Sequence, residues 1–476
     1  MRSLKFGTNP LEKALYLTDH VFDDLARTRT TLELLPNLQR LCWDIPCSKS
    51  RLRHAILFMH DKVTEFAFNL GYNDPHLLTT DIIGRMPSLT SLKFTTPYTY
   101  LDRSPNYEDA LLQLLSSLQK LQEVTLPKDV LDGQFLKTLS LLPELGVVQF
   151  DTLGGLRYPI TPTIESTLEE GAFPMLYDLC LDSTLDDMRL YLTGGASLPR
   201  LKNLSVESVV PELPSNVQQF LVDVTRCYPT LEVVSLDVIV AIEEQEVCEP
   251  LLPEHLHPIL SLTQLTHLEL RHNLPLQISE VDLAEFGAAL PIIETLVLNP
   301  EPLLLTRPRF TLRSLISVAL NFPKLSHLGI YLDAEEVVTH AYPLTKTRIF
   351  QHLRSLNVGV SPIGPDQVPV ALFLSHLLSE NERVAIQSGV SWSKELFEES
   401  DEYSVTVRKR CRQWGEVAKT LPLLLQLRKE EKAHRQDIEK EIEDLQMRNE
   451  VLIGKVRVNE EAKSAKMGYD NRCTIC

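Results

Sequence analysis

Six carboxylates in the middle of the chain are the side chains best suited to bind a ligand. All but one of the sequence separations between consecutive carboxylates are 25 to 30 residues, which indicates that these carboxylates recur with the units of a repeated structure. Carboxylates spaced in this way attract the lysine and arginine side chains of a partner. The six residues are Glu123, Asp151, Asp178, Asp182, Glu207 and Asp237.

Two pairs of metal-binding side chains are the other candidates for chemistry. His255 and His257 lie in a proline-flanked loop with no cysteine or acidic ligand at metal-binding spacing. Cys473 and Cys476 form one C-x-x-C pair, and a structural zinc ion needs two further ligands. The patterns GxxxxGK(S/T), GxGxxG, HExxH and GxSxG are absent from the sequence. We therefore predict that the protein is not an enzyme and has no catalytic residue, metal or cofactor.

The last four residues, Cys473 to Cys476, resemble a CaaX prenylation signal in which Cys473 receives the lipid. The polar stretch before them would give a modifying enzyme access, whereas a final cysteine is uncommon in such signals. A single prenyl chain binds membranes only reversibly. We expect an unmodified chain end or, if Cys473 is lipidated, a peripheral contact with a membrane.

A recurring nine-residue phrase defines the elements that must position these side chains. Clear copies read LPNLQRLCW (35–43), MPSLTSLKF (86–94) and LPRLKNLSV (198–206), and twelve copies lie between residues 35 and 358. Their central leucines, or the equivalent residues, are 24 to 34 residues apart. A proline opens most copies and the last residues alternate in polarity, so each copy is predicted to be a turn followed by a short strand.

Helix-like stretches separate the copies and complete each unit. We expect Ser215 to cap one helix, Asp282 to cap a second, and residues 313–321 to form a third. A strand and a helix of this size cannot bury their apolar faces alone, so the units must stack. The sequence therefore predicts an α/β solenoid of about twelve strand–helix units.

The repeats resemble those of leucine-rich repeat proteins with long, helix-containing units, and the irregular Leu-Pro-x-Leu phrases resemble those of fungal F-box proteins. The first resemblance implies a horseshoe whose concave face binds a protein. The second implies the substrate-binding arm of a cullin-type ubiquitin ligase, with a Skp adaptor as partner. The helical F-box of that family has no counterpart here, because residues 2–6 already match residues 354–358. The family's inner-turn asparagine is matched at Asn273, three residues after Leu270.

Strand alternation assigns the six carboxylates to the concave face, because the leucines of each phrase point into the core. No lysine or arginine takes these positions in the middle copies. Like charges on neighbouring strands destabilise a sheet. One hypothesis is therefore a binding site for a basic segment of a protein partner. The alternative is that carboxylates occur on every exposed face of the solenoid, because the part of the chain before residue 405 carries a net negative charge.

Residues 421–460 are predicted to form a long helix with a coiled-coil pattern. Asn449 takes a core position, which favours a two-stranded register. We predict a homodimer through residues 423–459, and a charged helix that packs back on the solenoid or stands alone is the alternative. The apolar core positions are Ile438, Ile442, Leu445, Leu452 and Val456.

Composition and charge limit the class of protein. The chain has 476 residues, 85 of them leucine, and its hydrophobic share of 43% excludes wholesale disorder. Its net charge of −17 disfavours nucleic acid binding and favours basic partners. Residues 405–476 hold 16 basic and 12 acidic side chains, so the acidity lies in the body. Eight scattered cysteines, no signal peptide and no membrane-spanning run predict a cytoplasmic or nuclear protein.

We predict four regions: a solenoid over 1–360, a C-terminal cap and hinge over 361–420, the coiled-coil helix over 421–460, and a flexible tail over 461–476. The expected function is a protein-recognition scaffold, which the F-box resemblance extends to a ubiquitin ligase. The alternative is a dimeric scaffold held at a membrane surface by a lipid on Cys473. A GTPase activator is a third possibility, but the arginine that such repeat proteins require has no match here.

Overall fold

The computed structural model describes most of the chain in twelve stretches. Asp151 and Cys473 lie outside the described residues. The stretches are 2–7, 18–44, 54–69, 76–95, 105–127, 133–150, 168–195, 197–240, 248–335, 350–379, 384–391 and 402–470.

Fourteen strands of the described residues form one parallel sheet, in which the strands follow each other in chain order. They are β1 (Ser3–Gly7), β2 (Arg40–Asp44), β3 (Glu65–Asn69), β4 (Ser91–Thr95), β5 (Glu123–Leu126), β6 (Val147–Phe150), β7 (Asp178–Asp182), β8 (Asn203–Glu207), β9 (Val233–Val238), β10 (His267–His272), β11 (Thr295–Leu298), β13 (His327–Ile330), β15 (Ser355–Asn357) and β16 (Ala385–Gln387). Two short strands, β12 (Phe310–Thr311) and β14 (Leu332–Asp333), pair with each other beside this sheet.

Helices connect most of the strands, as a parallel sheet requires. The described helices are α1 (Asp19–Thr28), α2 (His76–Arg85), α3 (Pro105–Ser117), α4 (Gly133–Ser140), α5 (Leu185–Thr193), α6 (Pro214–Cys227), α7 (Pro253–Leu256), α8 (Glu280–Ala289), α9 (Ser314–Asn321), α10 (Val368–Leu377) and α11 (Glu402–Asp470). A short 3₁₀ turn at Ala55–Phe58 lies in one further connection, and a second, at His257–Ser261, directly follows α7.

In the strands of the twelve copies, the inward-pointing residues whose side chains the structure describes are buried. In β8, Leu204 and Val206 are buried, whereas Asn203, Ser205 and Glu207 remain partly exposed. The same alternation recurs in β9 and β10. Stacking of successive units therefore buries one continuous core, and the predicted α/β solenoid is confirmed.

Two strands extend the sheet beyond the twelve predicted copies. Strand β1 pairs with β2 at the start of the sheet, in agreement with the match of residues 2–6 to residues 354–358. Strand β16 pairs with β15 at the other end. Its sequence, Ala385–Gln387, was not recognised because it contains no leucine and lacks the opening proline.

Helix α11 has two halves with different surroundings. The first half packs on the C-terminal end of the solenoid through Trp414, Leu421 and Leu425, which are buried. The indole Nε1 of Trp414 donates a 2.9 Å hydrogen bond to the carbonyl oxygen of Ser361. Beyond this docked half, every residue of 429–464 is exposed. The structure thus contains the long C-terminal helix that the sequence predicted.

This helix is continuous through Pro422, which can donate no backbone hydrogen bond. Leu421 and Leu425 are buried on either side of the proline, so docking on the solenoid supports the helix at this point. The predicted boundary between residues 420 and 421 falls inside the helix, and the division into four regions stays a prediction. Among the described helices, α11 included, none has the length and hydropathy needed to cross a membrane.

Two helices begin at residues other than those predicted. Helix α6 begins at Pro214 rather than after Ser215, because the fixed φ of proline suits the first turn of a helix. In α8 the N-cap is Ser279, whose hydroxyl accepts a hydrogen bond from the Asp282 amide. Asp282 instead accepts a 2.7 Å hydrogen bond from the Ser279 amide, as the third residue of a capping box.

Candidate binding surface on the concave face

The strand register places two predicted carboxylates in one row across the sheet, here termed the amino row. At the first position of β5, β6 and β7, Glu123 opposes Val147, which in turn opposes Asp178. Glu123 is exposed. Asp178 is partly buried, and its Oδ2 accepts a 3.0 Å hydrogen bond from Asn203 Nδ2 on β8. The amino row therefore presents two carboxylates about two strand spacings apart, or roughly 10 Å.

Three more predicted carboxylates form a second row, the carboxyl row, near the other end of the strands. Asp182 opposes Glu207, Glu207 opposes Asp237, and Asp237 opposes Arg271 on β10. Asp182 is only 7% exposed and contributes little accessible surface. Glu207 and Asp237 are partly exposed. The accessible negative charge of this row thus lies on β8 and β9 and ends at Arg271.

The Asp237 carboxylate is held in place locally, because its Oδ1 accepts a 3.0 Å hydrogen bond from the Ile239 amide. The sixth predicted carboxylate, Asp151, lies outside the described residues. The structure therefore brings the other five onto one face, where they form two rows.

Arg271 is the centre of a group of polar side chains that joins distant parts of the chain. Its Nε lies 2.6 Å from Glu269 Oε1, and its Nη1 lies 2.6 Å from Ser391 Oγ. Nη1 is also 3.4 Å from Oε2 of Glu301, which is 3% exposed. The amide and hydroxyl of Ser391 donate to the same Oε2 at 2.5 and 2.8 Å. These four residues are termed the arginine cluster.

Neighbouring charges shift the pKa values of Glu269 and Arg271 strongly. Burial alone would raise the pKa of Glu269, but its hydrogen bond to His267 and the charge of Arg271 outweigh burial and lower the pKa to about 2. Burial would lower the pKa of Arg271, and the negative charges of Glu269, Glu301 and Asp237 raise it instead. Both side chains are therefore charged at neutral pH, so neither has the intermediate pKa expected of a general acid or base.

The C-terminal part of the chain packs against the units that follow the arginine cluster. Tyr403 donates a 3.3 Å hydrogen bond from its hydroxyl to the Pro302 carbonyl oxygen. Arg410 Nη1 donates to the Val360 carbonyl oxygen at 2.8 Å and to the hydroxyl of Tyr331, which is itself buried. The C-terminal part of the chain therefore covers the surface of the solenoid beside β11 to β15. The acidic surface lies on other strands, β5 to β9.

The two histidines singled out in the sequence have different surroundings. His255 Nδ1 accepts a 3.1 Å hydrogen bond from the Leu252 amide at the start of α7. His257 Nε2 lies 3.9 Å from Glu285 Oε2 at the surface. Within the described stretches, no three His, Cys, Asp or Glu side chains are grouped to hold a metal ion.

Asparagines support the inner turns after β10 and β11. Asn273 is buried, and its side chain exchanges two hydrogen bonds with the Val240 backbone, at 3.1 and 3.0 Å. Sequence reasoning missed Asn299, which follows Leu298 directly instead of at the expected third position. Asn299 has a φ of +48° and donates from Nδ2 to the carbonyl oxygens of His272 and Leu274. The sequence signal that could have identified Asn299 is its residue type, because asparagine tolerates a positive φ.

Comparison of the sequence with protein-family models gave no match, and comparison with curated proteins gave none at a significant level. Among solved structures, the leucine-rich repeat protein LegL7 of Legionella pneumophila is 14% identical, with a TM-score of 0.33, and the alignment covers 73% of this chain and 90% of LegL7.

TLR13 in its complex with ssRNA13 is 15% identical with a TM-score of 0.30, and the alignment covers 78% of this chain and 51% of the TLR13 chain. For the Drosophila Toll–Spatzle complex the identity is 13%, the TM-score is 0.24, and the coverage is 76% of this chain and 49% of the other. The repeated phrase and the fourteen-stranded sheet, rather than these similarities, assign the leucine-rich repeat solenoid fold.

Proposed function

We propose that this solenoid is a recognition scaffold that binds a basic segment of a protein partner on the concave face of β5 to β9. The observation that carries the proposal is the arrangement of the amino and carboxyl rows. Their accessible carboxylates, Glu123, Asp178, Glu207 and Asp237, share one face within five neighbouring strands. A solenoid without catalytic motifs characteristically uses its concave surface for binding.

The distribution of positive charge supports the same surface. On β5 to β9, no described concave-facing position is a lysine or arginine. The nearest basic residues on this face are Lys93 on β4 and Arg271 on β10, so they bound the acidic area on both sides. Five strands at about 4.8 Å spacing give this area a width of roughly 20 Å. A basic segment of six or so extended residues, at about 3.3 Å each, spans it.

Capture of the partner tests this proposal. The tagged full-length protein is purified from its native cell, and the proteins bound to it are identified by mass spectrometry. A double variant, Glu123→Lys with Glu207→Lys, changes the concave face, whereas Glu254→Lys with Glu285→Lys makes the same change in net charge on α7 and α8. We expect a partner that the first variant loses and the second retains. A partner retained by both variants contradicts the assigned surface.

The ubiquitin-ligase role is a finer form of the same proposal and rests on resemblance to fungal F-box proteins. Recovery of a Skp adaptor and a cullin with the wild-type protein would support it. Recovery of a basic partner without them would leave a recognition scaffold that acts outside the ligase.

The exposed half of α11 favours a second candidate function, a dimeric scaffold. Ile442, Leu445 and Leu452 are 48%, 55% and 58% exposed, although they form one apolar stripe on the helix. Asn449 lies within this stripe, at the core position that favours pairing in register. A second copy of the chain would bury the stripe, and a prenyl group on Cys473 would hold the dimer at a membrane surface.

The stripe also continues onto the docked half of the helix. Leu427 precedes Ile438 by eleven residues, which amounts to about 20° around a helix with 3.6 residues per turn. Leu427 is exposed, so it lies on the same side as the stripe and away from the solenoid. A partner helix can therefore run along α11 without displacing the contacts of Trp414. Salt bridges such as Arg448 to Asp444, 2.7 Å apart, stabilise the helix when it is alone.

A further inference from the structure

The residue that precedes each strand forms a continuous ladder along the amino edge of the sheet. Each of these residues donates its amide to the carbonyl oxygen of the equivalent residue in the preceding unit, as from Tyr177 to Gly146 and from Lys202 to Tyr177, both at 2.9 Å. Two neighbours, Gly146 and Tyr177, interrupt an otherwise polar edge. The ladder comprises Gln39, Thr64, Thr90, Gln122, Gly146, Tyr177, Lys202, Glu232, Thr266, Glu294, Ser326 and Arg354.

The glycine allows the tyrosine ring to lie close against the edge. A Cβ atom at Gly146 would be 2.7 Å from Tyr177 Cε1, a distance that no side chain could tolerate without movement of the ring. Tyr177 as a whole residue remains 43% exposed, and the neighbouring Met175 is 39% exposed. Together they line a groove of about 770 Å³ at the amino ends of β5 to β9. The groove therefore has an apolar floor.

The two ends of this groove carry opposite charges. Glu123 and Glu144 line the end beside β5 and β6, and both are exposed. Arg200 and Lys202 line the end beside β8. Lys202 Nζ already lies 2.5 Å from Glu232 Oε1, so the exposed Arg200 is the cation better placed to meet a ligand. A ligand that fits both ends must itself carry a positive and a negative charge.

The spacing of the strands sets the distance between those charges. From β5 to β8 there are three strand spacings, or about 14 Å at 4.8 Å each. An extended peptide advances about 3.3 Å per residue, so four steps cover this distance. Side chains two and four residues apart point to the same side of an extended chain. The middle residue of such a five-residue segment would therefore face the apolar floor.

We propose that this groove binds an extended segment of a protein partner with the pattern basic–x–apolar–x–acidic, in either chain direction. The basic residue faces Glu123 and Glu144, the apolar residue contacts Tyr177 and Met175, and the acidic residue faces Arg200. This inference rests on the proposed recognition function; the groove shares Glu123 with the amino row, and its other lining residues lie along the amino edge of the sheet.

Binding of labelled peptides to the full-length protein tests the groove. The probe is a fluorescein-labelled peptide, Ser-Arg-Ser-Leu-Ser-Glu-Ser, with a second peptide in which arginine replaces the glutamate. We expect the first peptide to bind at least about tenfold more tightly than the second. Tyr177→Ala should weaken its binding by about tenfold, because the apolar floor is lost. Equal affinities of the two peptides, or no effect of Tyr177→Ala, would overturn the proposal.

A charge reversal separates recognition from general effects on the surface. Arg200→Glu should weaken binding of the first peptide and strengthen binding of the two-arginine peptide, so that the preference inverts. Arg354→Glu makes the same change in charge at a residue of the edge ladder outside the groove and should leave both affinities unchanged. The same effect from both variants contradicts a specific site.

An octalysine peptide, which tests the concave rows, distinguishes this inference from the proposed function. Its binding should not change in Tyr177→Ala. If octalysine binds and the Ser-Arg-Ser-Leu-Ser-Glu-Ser peptide does not, the groove proposal is wrong and the concave proposal is unaffected. If that peptide binds and octalysine does not, the concave proposal is wrong and the groove is supported.

Discussion

Arg271 and Ser391 are 120 residues apart in the sequence and are joined by a 2.6 Å hydrogen bond from Nη1 to Oγ. The bond connects β10 to the segment that leads from the last strand to α11. Glu301, between them, accepts from both side chains and is nearly inaccessible to water. The arginine cluster therefore fastens the C-terminal part of the chain to the middle of the solenoid.

Removal of Arg271 should destabilise this connection. In Arg271→Leu, the Glu301 carboxylate stays buried without its cation, and loss of one partner of a buried charge pair costs about 3–5 kcal/mol. We expect faster hydrogen exchange in residues 402–428 and a lower free energy of unfolding. Arg226→Leu is the matched control, because the Arg226 side chain is 72% exposed and pairs with Asp223 at the surface.

The double variant Arg271→Leu with Glu301→Leu checks the cause. Replacement of both charges by apolar side chains should recover much of the lost stability, because the buried Glu301 carboxylate is removed together with its cation and Glu269 keeps His267 as a partner. The free energy of unfolding lost in the double variant is compared with the sum of the losses in Arg271→Leu and in Glu301→Leu. If the two are equal, the charge pairing between Arg271 and Glu301 does not explain the effect.

The buried imidazole of His272 should make the protein sensitive to mild acid. Burial lowers the pKa of His272 from 6.5 to about 4, so the unfolded chain binds a proton more readily than the folded one between these values. The contribution of His272 to the free energy of unfolding is therefore fully present above pH 6.5. It falls by about 3 kcal/mol in total as the pH drops towards 4. Measurement of the free energy of unfolding against pH in urea checks this dependence.

His272→Asn separates the titration from the packing of this side chain. Asparagine can retain an acceptor for the Leu274 amide, which donates to His272 Nδ1 at 3.0 Å. We expect a flatter pH profile between 6.5 and 4 than in the wild type. An unaltered profile in His272→Asn would argue against a buried neutral imidazole.

Trp414 should be the main anchor of α11. Its side chain is fully buried and its indole nitrogen is hydrogen-bonded, so Trp414→Ala should cost about 3–5 kcal/mol. Limited proteolysis should then cut the docked half of the helix, while the preceding units remain folded. Leu423→Ala, at a 64% exposed position on the same helix, should have almost no effect. Equal protection of α11 in both variants would contradict the docking.

The apolar stripe on α11 predicts self-association. Light scattering of the wild type should give the mass of a dimer at micromolar concentration, and Leu445→Asp with Leu452→Asp should give a monomer, because the charges lie in the paired core. Met447→Asp introduces a charge on the other side of the same exposed helix and should leave the dimer intact. A monomeric wild type excludes the dimer.

Local pattern allowed much of the fold to be predicted. The central positions of the phrase, from Leu38 to Leu353, are buried, and even the degenerate copy at Val63 is fully inaccessible. Period-two alternation also placed Glu123, Asp178 and Glu207 on the concave face. These features depend on neighbours within one unit, so the sequence carries them directly.

Other features depend on contacts between distant units and could not be predicted. The burial of Asp182 and the pairing of Glu301 with Ser391 arise only when the chain is folded. The groove at Tyr177 needs a glycine one unit earlier in the ladder, a relationship with no sequence signal of its own. For the same reason, packing of the C-terminal helix on the solenoid was only one alternative, and its docking across Pro422 had no sequence signal.

The affinity of octalysine for three forms of the protein tests the central proposal most directly. The forms are the wild type, Glu123→Lys with Glu207→Lys on the concave face, and Glu254→Lys with Glu285→Lys on the helices. We expect the concave variant to bind at least about tenfold more weakly, or about 1.4 kcal/mol, and the helix variant to bind almost as the wild type does. An equal loss in both variants would show that octalysine responds only to the net charge, and the concave acidic rows would not be a recognition surface.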